Sequence, residues 1–160
     1  MTFFSGLINR YLARTPSTYP PDTFYPSELG TCPRASWYRR KVAVEHPPEL
    51  LRKFASATLV HNFVRDMLAN SPGVRLIANE KPFTIVADDF LIKGRMDDVI
   101  YAQLSPDRAR ELNPSLQGEV LVVVEVKSVS GRRMDFIRSP SYPHLLQIHP
   151  YMRSERASSG

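Results

Sequence analysis

Glu125 and Lys127 stand two residues apart, just past the apolar run Leu121-Val122-Val123-Val124. In an extended strand residues i and i+2 share a face, so this carboxylate and ammonium project together while Val126 points the other way. The carboxylate can hold a divalent cation, and the ammonium can stabilise phosphate charge or orient a water. That is the equipment of metal-assisted phosphodiester hydrolysis. Glu-x-Lys alone is commonplace and usually marks a charged strand end in solvent, so the reading depends on partners elsewhere in the chain.

A preceding β-rich run carries Gly94-Arg95-Met96-Asp97 and supplies a second carboxylate. The glycine ahead of it leaves space for a phosphate or a neighbouring backbone. Asp98 faces the opposite side of a regular strand and is the second choice. His61 is a third candidate ligand, an imidazole on the apolar stripe of a long helix. His144, Gln147 and Tyr151 share one face of a later helix, from which Gln147 and Tyr151 can reach DNA or the metal site. Each residue also has a plainer reading. Asp97 can be a solvated strand residue, His61 a hydrogen-bonded core histidine, and the last helix an amphipathic one with Leu145, Ile148 and Met152 as its buried stripe.

Periodicity shows the elements that must bring these residues together. Residues 3–12 read as a short helix, and the stretch through Pro16, Pro20, Pro21 and Pro26 cannot propagate it, which makes 1–26 an N-terminal arm. Residues 27–41 turn helical, with Ser27 as N-cap. Leu50, Phe54, Ala57, His61, Val64 and Leu68 recur at three- and four-residue steps and predict a helix over 49–70. Two β runs, 74–87 and 90–102, meet at Asp88-Asp89 as a hairpin turn. A polar excursion over 103–118 holds a helix-like 107–112. The strand over 119–128 is too continuously apolar for a half-exposed one and is expected to be central, covered on both faces. A final helix covers 143–152, where Pro150 would cost roughly 3 kcal/mol in a helix interior and is expected to kink or shorten it. These elements sum to an α/β fold with a small mixed sheet flanked by helices, one domain over 27–160.

Composition bounds the possibilities. A chain of 160 residues, 42% apolar, can bury one substantial core. Its 21 Lys and Arg exceed 16 Asp and Glu for a formal charge of +5, and arginine's planar fork suits phosphate. Arg34, Arg39, Arg40, Arg132 and Arg133 are therefore candidate contacts to a DNA backbone. The single cysteine, Cys32, excludes an intramolecular disulfide and points to a reducing cytoplasm. No stretch has the apolar length of a membrane span, and the opening residues lack the order of a signal peptide, so no membrane partner is expected.

Taken in order, a helix with His61, a strand with Gly-x-x-Asp97, a strand with Glu125-x-Lys127 and a helix with Gln147-x-x-x-Tyr151, the chain resembles the RecB-like branch of the PD-(D/E)xK nucleases. The resemblance implies a restriction-endonuclease-like core and metal-dependent hydrolysis of DNA by an exonuclease. It assigns His61, Asp97, Glu125 and the backbone carbonyl of Val126 to Mg²⁺ or Mn²⁺, and Asp97, Glu125, Lys127, Gln147 and Tyr151 to catalysis. The segment Ser27-Glu28-Leu29-Gly30-Thr31-Cys32-Pro33-Arg34 resembles the Ser-x-Leu-x-x-Cys-x-Arg signature of CRISPR-associated Cas-four exonucleases and their relatives in AddB-type helicase-nucleases. In those families this cysteine is the first of four ligands to an iron–sulfur cluster. Cys32 would take that role in a longer protein; this chain has no other cysteine, so no cluster is expected on it, and a C-terminal strand and cysteine segment are expected to be missing. Ala57 stands where relatives commonly carry glycine. The family implies single-stranded or frayed DNA ends as substrate, spacer acquisition as the setting and an integrase as partner. The alternatives are the nuclease domain of a repair or recombination helicase-nuclease, and a DNA-binding module without turnover.

Overall fold

The computed structural model describes residues 3–112, 118–129 and 139–158. Its centre is a long antiparallel hairpin of β2 (Val74–Ala87) and β3 (Phe90–Gln103), turning at Asp88-Asp89 as the alternation predicts. Two acidic residues suit such a tight turn because their short side chains satisfy local backbone groups. The pairing Ala87↔Phe90 runs back to Val74↔Ala102, with a bulge between Leu76 and Ala78. The other edge of β3 is shared. The two-residue β1 (Thr23–Phe24) lies parallel to it at Leu91 and Ile92, and β4 (Glu119–Val124) lies antiparallel from Asp98↔Val124 to Gln103↔Glu119. The result, among the described residues, is a four-stranded mixed sheet.

The central strand is therefore β3, where Met96 and Val99 are fully buried, and not the valine-rich β4. Strand β4 pairs with β3 alone among the described residues, and its side chains are only half-buried. It also ends at Val124, and two residues on the Val126 amide bonds to the Asp97 side chain rather than to a strand carbonyl.

Among the described residues five helices accompany the sheet: α1 (Phe3–Leu12), α2 (Pro33–Lys41), α3 (Pro48–Ala69), α4 (Pro106–Leu112) and α5 (Tyr142–Ser158). Helix α2 begins later than expected. Ser27 belongs to a 3₁₀ turn over Pro26–Glu28 and caps nothing; Gly30 then takes a positive φ of 76°, and the helix starts at Pro33 with Cys32 as N-cap. Proline is at home in the first helical position, where no amide is needed. Helix α5 runs unbroken through Pro150, which is buried.

The face that α5 turns inward is also not the expected one. Gln147, Tyr151 and Glu155 are buried, while Leu145 and Met152 are 46% and 57% exposed; only Ile148 of the expected stripe packs on the core. Polar contacts decide that rotation, since Gln147 and Tyr151 meet the sheet's charged tip and Glu155 meets Lys81 of β2 at 2.6 Å. The core itself gathers Phe83, Met96, Val99 and Tyr151, with Phe83 and Tyr151 edge to face at 5.2 Å.

The arm is stitched down rather than free. Besides β1, it bonds through Tyr19 N–H to the Arg39 carbonyl at 2.9 Å and pairs Ser17 with Val44. A buried ion pair, Arg40 to Glu28 at 2.9 Å, holds the 3₁₀ turn to α2, and Arg40 also donates to the Thr23 carbonyl. No described helix is long and apolar enough to cross a membrane.

Candidate metal centre

Sheet register explains how residues distant in sequence converge. Counting seven residues from Ala87↔Phe90 along both strands sets Glu80 opposite Asp97. Counting one residue past Asp98↔Val124 sets Asp97 opposite Glu125. Three carboxylates thus form a row across β2, β3 and the exit of β4, at the separation of cross-strand neighbours. Alternation along β3 turns Asp97 toward the cleft and sends Asp98 into the interior, 1% exposed and bonded to Asn79.

Helix α3 brings His61 over this row. Its Nδ1 lies 3.3 Å from Asp97 Oδ1, and the other Asp97 oxygen accepts the Val126 N–H at 2.7 Å. That bond fixes the carboxylate just past the end of β4. Glu125 is the most enclosed of the acids, with a side chain 9% exposed. Its Oε1 accepts from Lys127 Nζ and Gln147 Nε2, both at 2.5 Å, while its Oε2 is buried without a hydrogen-bond partner. Burial pushes the Glu125 carboxyl above its ordinary range, Asp97 adds to the rise, and Lys127 partly offsets it. Gln147 Nε2 also donates to the Tyr151 hydroxyl at 2.9 Å. The Tyr151 phenol is pushed up to about 12, by burial above all, with the charges of Glu125 and Asp97 adding. It keeps its proton throughout the neutral range.

These groups line one open cleft of about 620 Å³ together with Tyr19, Tyr25, Lys93 and Arg95. His61, Asp97, Glu125, Lys127, Gln147 and Tyr151 all meet there. The chain gives no match when compared with protein-family models, curated proteins or solved structures. Its chemistry is therefore read from the cleft itself.

The residues fit a small divalent cation. An imidazole and hard carboxylate oxygens are the donors such ions take, and a buried carboxylate oxygen with no partner calls for one. Ligand atoms of His61, Glu80 and Asp97 lie within 4.8 Å of one another. Opposite ligands of Mg²⁺ at roughly 2.1 Å from the ion would stand about 4.2 Å apart, so a shift of tenths of an ångström closes the set. Glu125 is outside this tight trio and approaches from the far side of Asp97.

Glu80 is the residue that the motifs passed over. It has a φ of 50°, the single positive value at a non-glycine among the described residues, and pairs with Arg95 at 3.1 Å. The hairpin register, counted from Asp88-Asp89, was the signal that could have found it.

Other candidates sort differently. Gly94 makes room for protein rather than phosphate: a Cβ there would stand 2.8 Å from the Phe83 ring and 3.0 Å from Pro26. Gln147 and Tyr151, 7% and 3% exposed, floor the cleft and brace Glu125 instead of reaching out for DNA. Arg40 is a correction. Its side chain is 6% exposed and spent on Glu28, Ser36 and Thr23, so it cannot also grip a DNA backbone. Arg34 is exposed beside the Tyr38 ring, and Cys32 is an exposed free thiol. Arg132 and Arg133 lie outside the described residues.

Proposed function

We propose that this protein is a metal-dependent deoxyribonuclease of the RecB-like PD-(D/E)xK type, hydrolysing phosphodiester bonds in the cleft around Asp97 and Glu125. The observation that carries this reading is the unpartnered, buried Oε2 of Glu125 beside the His61–Asp97 pair. A carboxylate oxygen left buried without a partner costs stability, and one beside a histidine–aspartate pair in an open cleft is suited to a bound cation.

His61, Asp97 and Glu125 would hold Mg²⁺ or Mn²⁺, with the Val126 carbonyl as a further donor. When bound, the cation supplies Lewis-acid polarisation of the phosphate and lowers the pKa of water. The protein does the positioning. Val126 N–H locks the Asp97 carboxylate, and Gln147, backed by Tyr151, locks Glu125. Lys127, 35% exposed and 2.5 Å from Glu125, can swing its ammonium toward the phosphate once the carboxylate's charge is met otherwise. A cation there offsets the charge that builds on phosphate oxygens as the bond breaks.

Action on single-stranded or frayed ends, and a place in CRISPR spacer acquisition, are supported by the motif around Cys32 alone. The test is DNA degradation with Mn²⁺ or Mg²⁺ by wild type, Glu125→Ala and Lys127→Ala. Wild type degrades DNA and both variants lose at least about 100-fold, the scale of removing a charge-stabilising group. Intact DNA with a folded, metal-loaded wild type would replace this reading with that of a binding module.

A further inference from the structure

Tyr19 has the metal cleft on one side and a second, smaller pocket on the other. The second pocket, of about 160 Å³, is lined by Arg14, Thr15, Ser17, Arg39 and His46 over a floor that includes buried Leu51. Its frame is backbone: the Tyr19–Arg39 bond and the Ser17↔Val44 bridge clamp the arm across the end of α2.

The lining holds two guanidinium groups, an imidazole and hydroxyls, and no carboxylate. Seven other arginines, at 40, 52, 65, 75, 95, 108 and 110, pair with acids. Arg14 and Arg39, like Arg10, Arg34 and Arg153, have no ion-pair partner among the described residues, but these two alone line one pocket. A cation in the last turn of α2 suits the helix dipole and would account for Arg39 alone. It leaves Arg14 unexplained, which comes from a separate segment and lines the same space as His46, whose ring packs edge-on to Phe54 at 5.6 Å. Two guanidiniums and the Thr15 and Ser17 hydroxyls around one pocket with no carboxylate match a tetrahedral oxyanion, whose several oxygens can take two guanidinium forks at once.

We propose that this pocket is a phosphate subsite, seating one phosphate of the nucleic-acid strand whose scissile phosphate lies in the metal cleft. The shared wall at Tyr19 makes the two sites adjacent along one strand. The identity of that strand rests on the nuclease reading; the pocket's affinity for phosphate does not.

Two measurements, both in EDTA so that no metal enters, test it. In the first, inorganic phosphate is titrated against wild type, Arg14→Gln/Arg39→Gln and Arg39→Lys, with calorimetry and the unfolding midpoint as readouts. Wild type binds phosphate, the double variant loses binding by roughly tenfold or more for each charged contact removed, and Arg39→Lys falls between. The unfolding midpoint without phosphate moves little, because neither side chain has an ion-pair partner and Arg39 gives up only its favourable place at the end of α2. In the second, labelled single strands with a 5′-phosphate, a 3′-phosphate or neither are bound by anisotropy. Preference for one phosphorylated end, lost in the double variant, marks a terminal phosphate as the occupant. Equal binding of all three, with the salt slope shallower in the double variant by roughly 0.7 per contact, marks an internal one. Equal affinity of wild type and double variant for phosphate, or for DNA at every salt concentration, would overturn the proposal. Failure of the nuclease reading shows separately, as absent cleavage when Mn²⁺ is restored.

Discussion

Replacing Glu125 by glutamine should stabilise the metal-free protein and abolish its response to metal. In wild type, Oε2 is buried without a partner, a penalty of about 1–3 kcal/mol for an acceptor and more for a charged one. The pair with Lys127 returns only about 0–1 kcal/mol, because the ammonium is 35% exposed. An amide of the same shape keeps the Gln147 contact and sheds the charge; its NH2 at the Oε2 position still lacks a partner, so only the excess cost of the charge is relieved, about 1 kcal/mol. The sign of the pH dependence follows from the raised carboxyl of Glu125. A carboxyl raised on folding favours the fold below its ordinary value, and that contribution disappears as pH rises through the raised one. Wild type and Glu125→Gln should therefore unfold alike in acid, and the variant should pull ahead toward neutrality. Mn²⁺ at about a hundred times its Kd adds roughly 2.7 kcal/mol to a protein that binds it, which reverses the order at neutral pH. Urea denaturation in EDTA and in Mn²⁺, across that pH range, reads all of this. A variant destabilised by more than about 2 kcal/mol in EDTA, or one that keeps the metal-induced gain, would refute the reasoning.

Glu28→Gln should cost about 3–5 kcal/mol by stranding the buried Arg40. Burial would raise the Glu28 carboxyl, but bonds from Arg40, Ser36 and the Tyr25 amide outweigh it and hold it low. This contribution is complete above the ordinary carboxylate range and fades as pH falls through the lowered value, so the gap between wild type and variant should narrow in acid melts. Gly94→Ala should cost about 1–3 kcal/mol in chemical denaturation, since the new methyl meets Phe83 and Pro26 at 2.8 and 3.0 Å. Glu80→Gly should relieve a backbone cost of about 1 kcal/mol at φ 50° and lower Mn²⁺ affinity by calorimetry; unchanged affinity would remove Glu80 from the ion's surroundings.

Local signals carried the elements well where each segment settles its own structure. The helix around His61, the hairpin at Asp88-Asp89 and the short α4 depend on periodicity and turn chemistry that nearby residues supply. The misreadings have another origin. Ser27 looks like a cap only until Pro33 offers a better start, and Leu145 and Met152 look like a buried stripe only if α5 turns its apolar side inward. Its polar side goes in because Glu125 needs the Gln147 amide, a requirement set by a residue 22 positions away. Arg40 shows the same limit, since nothing local distinguishes an arginine bound for Glu28 from one bound for solvent.

The row of carboxylates was legible in part, and the division is instructive. A two-residue turn sets hairpin register by itself, so once Asp88-Asp89 is the turn, Glu80 must face Asp97. Glu125 has no such rule. The excursion between β3 and β4 is long enough to permit many registers, and a slip of one residue would put Val124 or Val126 opposite Asp97 instead. The Val126 amide's bond to the Asp97 carboxylate pins the alignment that is found, making Asp97 a structural anchor as well as a candidate ligand. A variant at Asp97 would then lose both register and ion, whereas Glu125→Gln would lose the ion and keep both the register and the Gln147 contact. Glu125 is for that reason the residue at which function can be separated from folding.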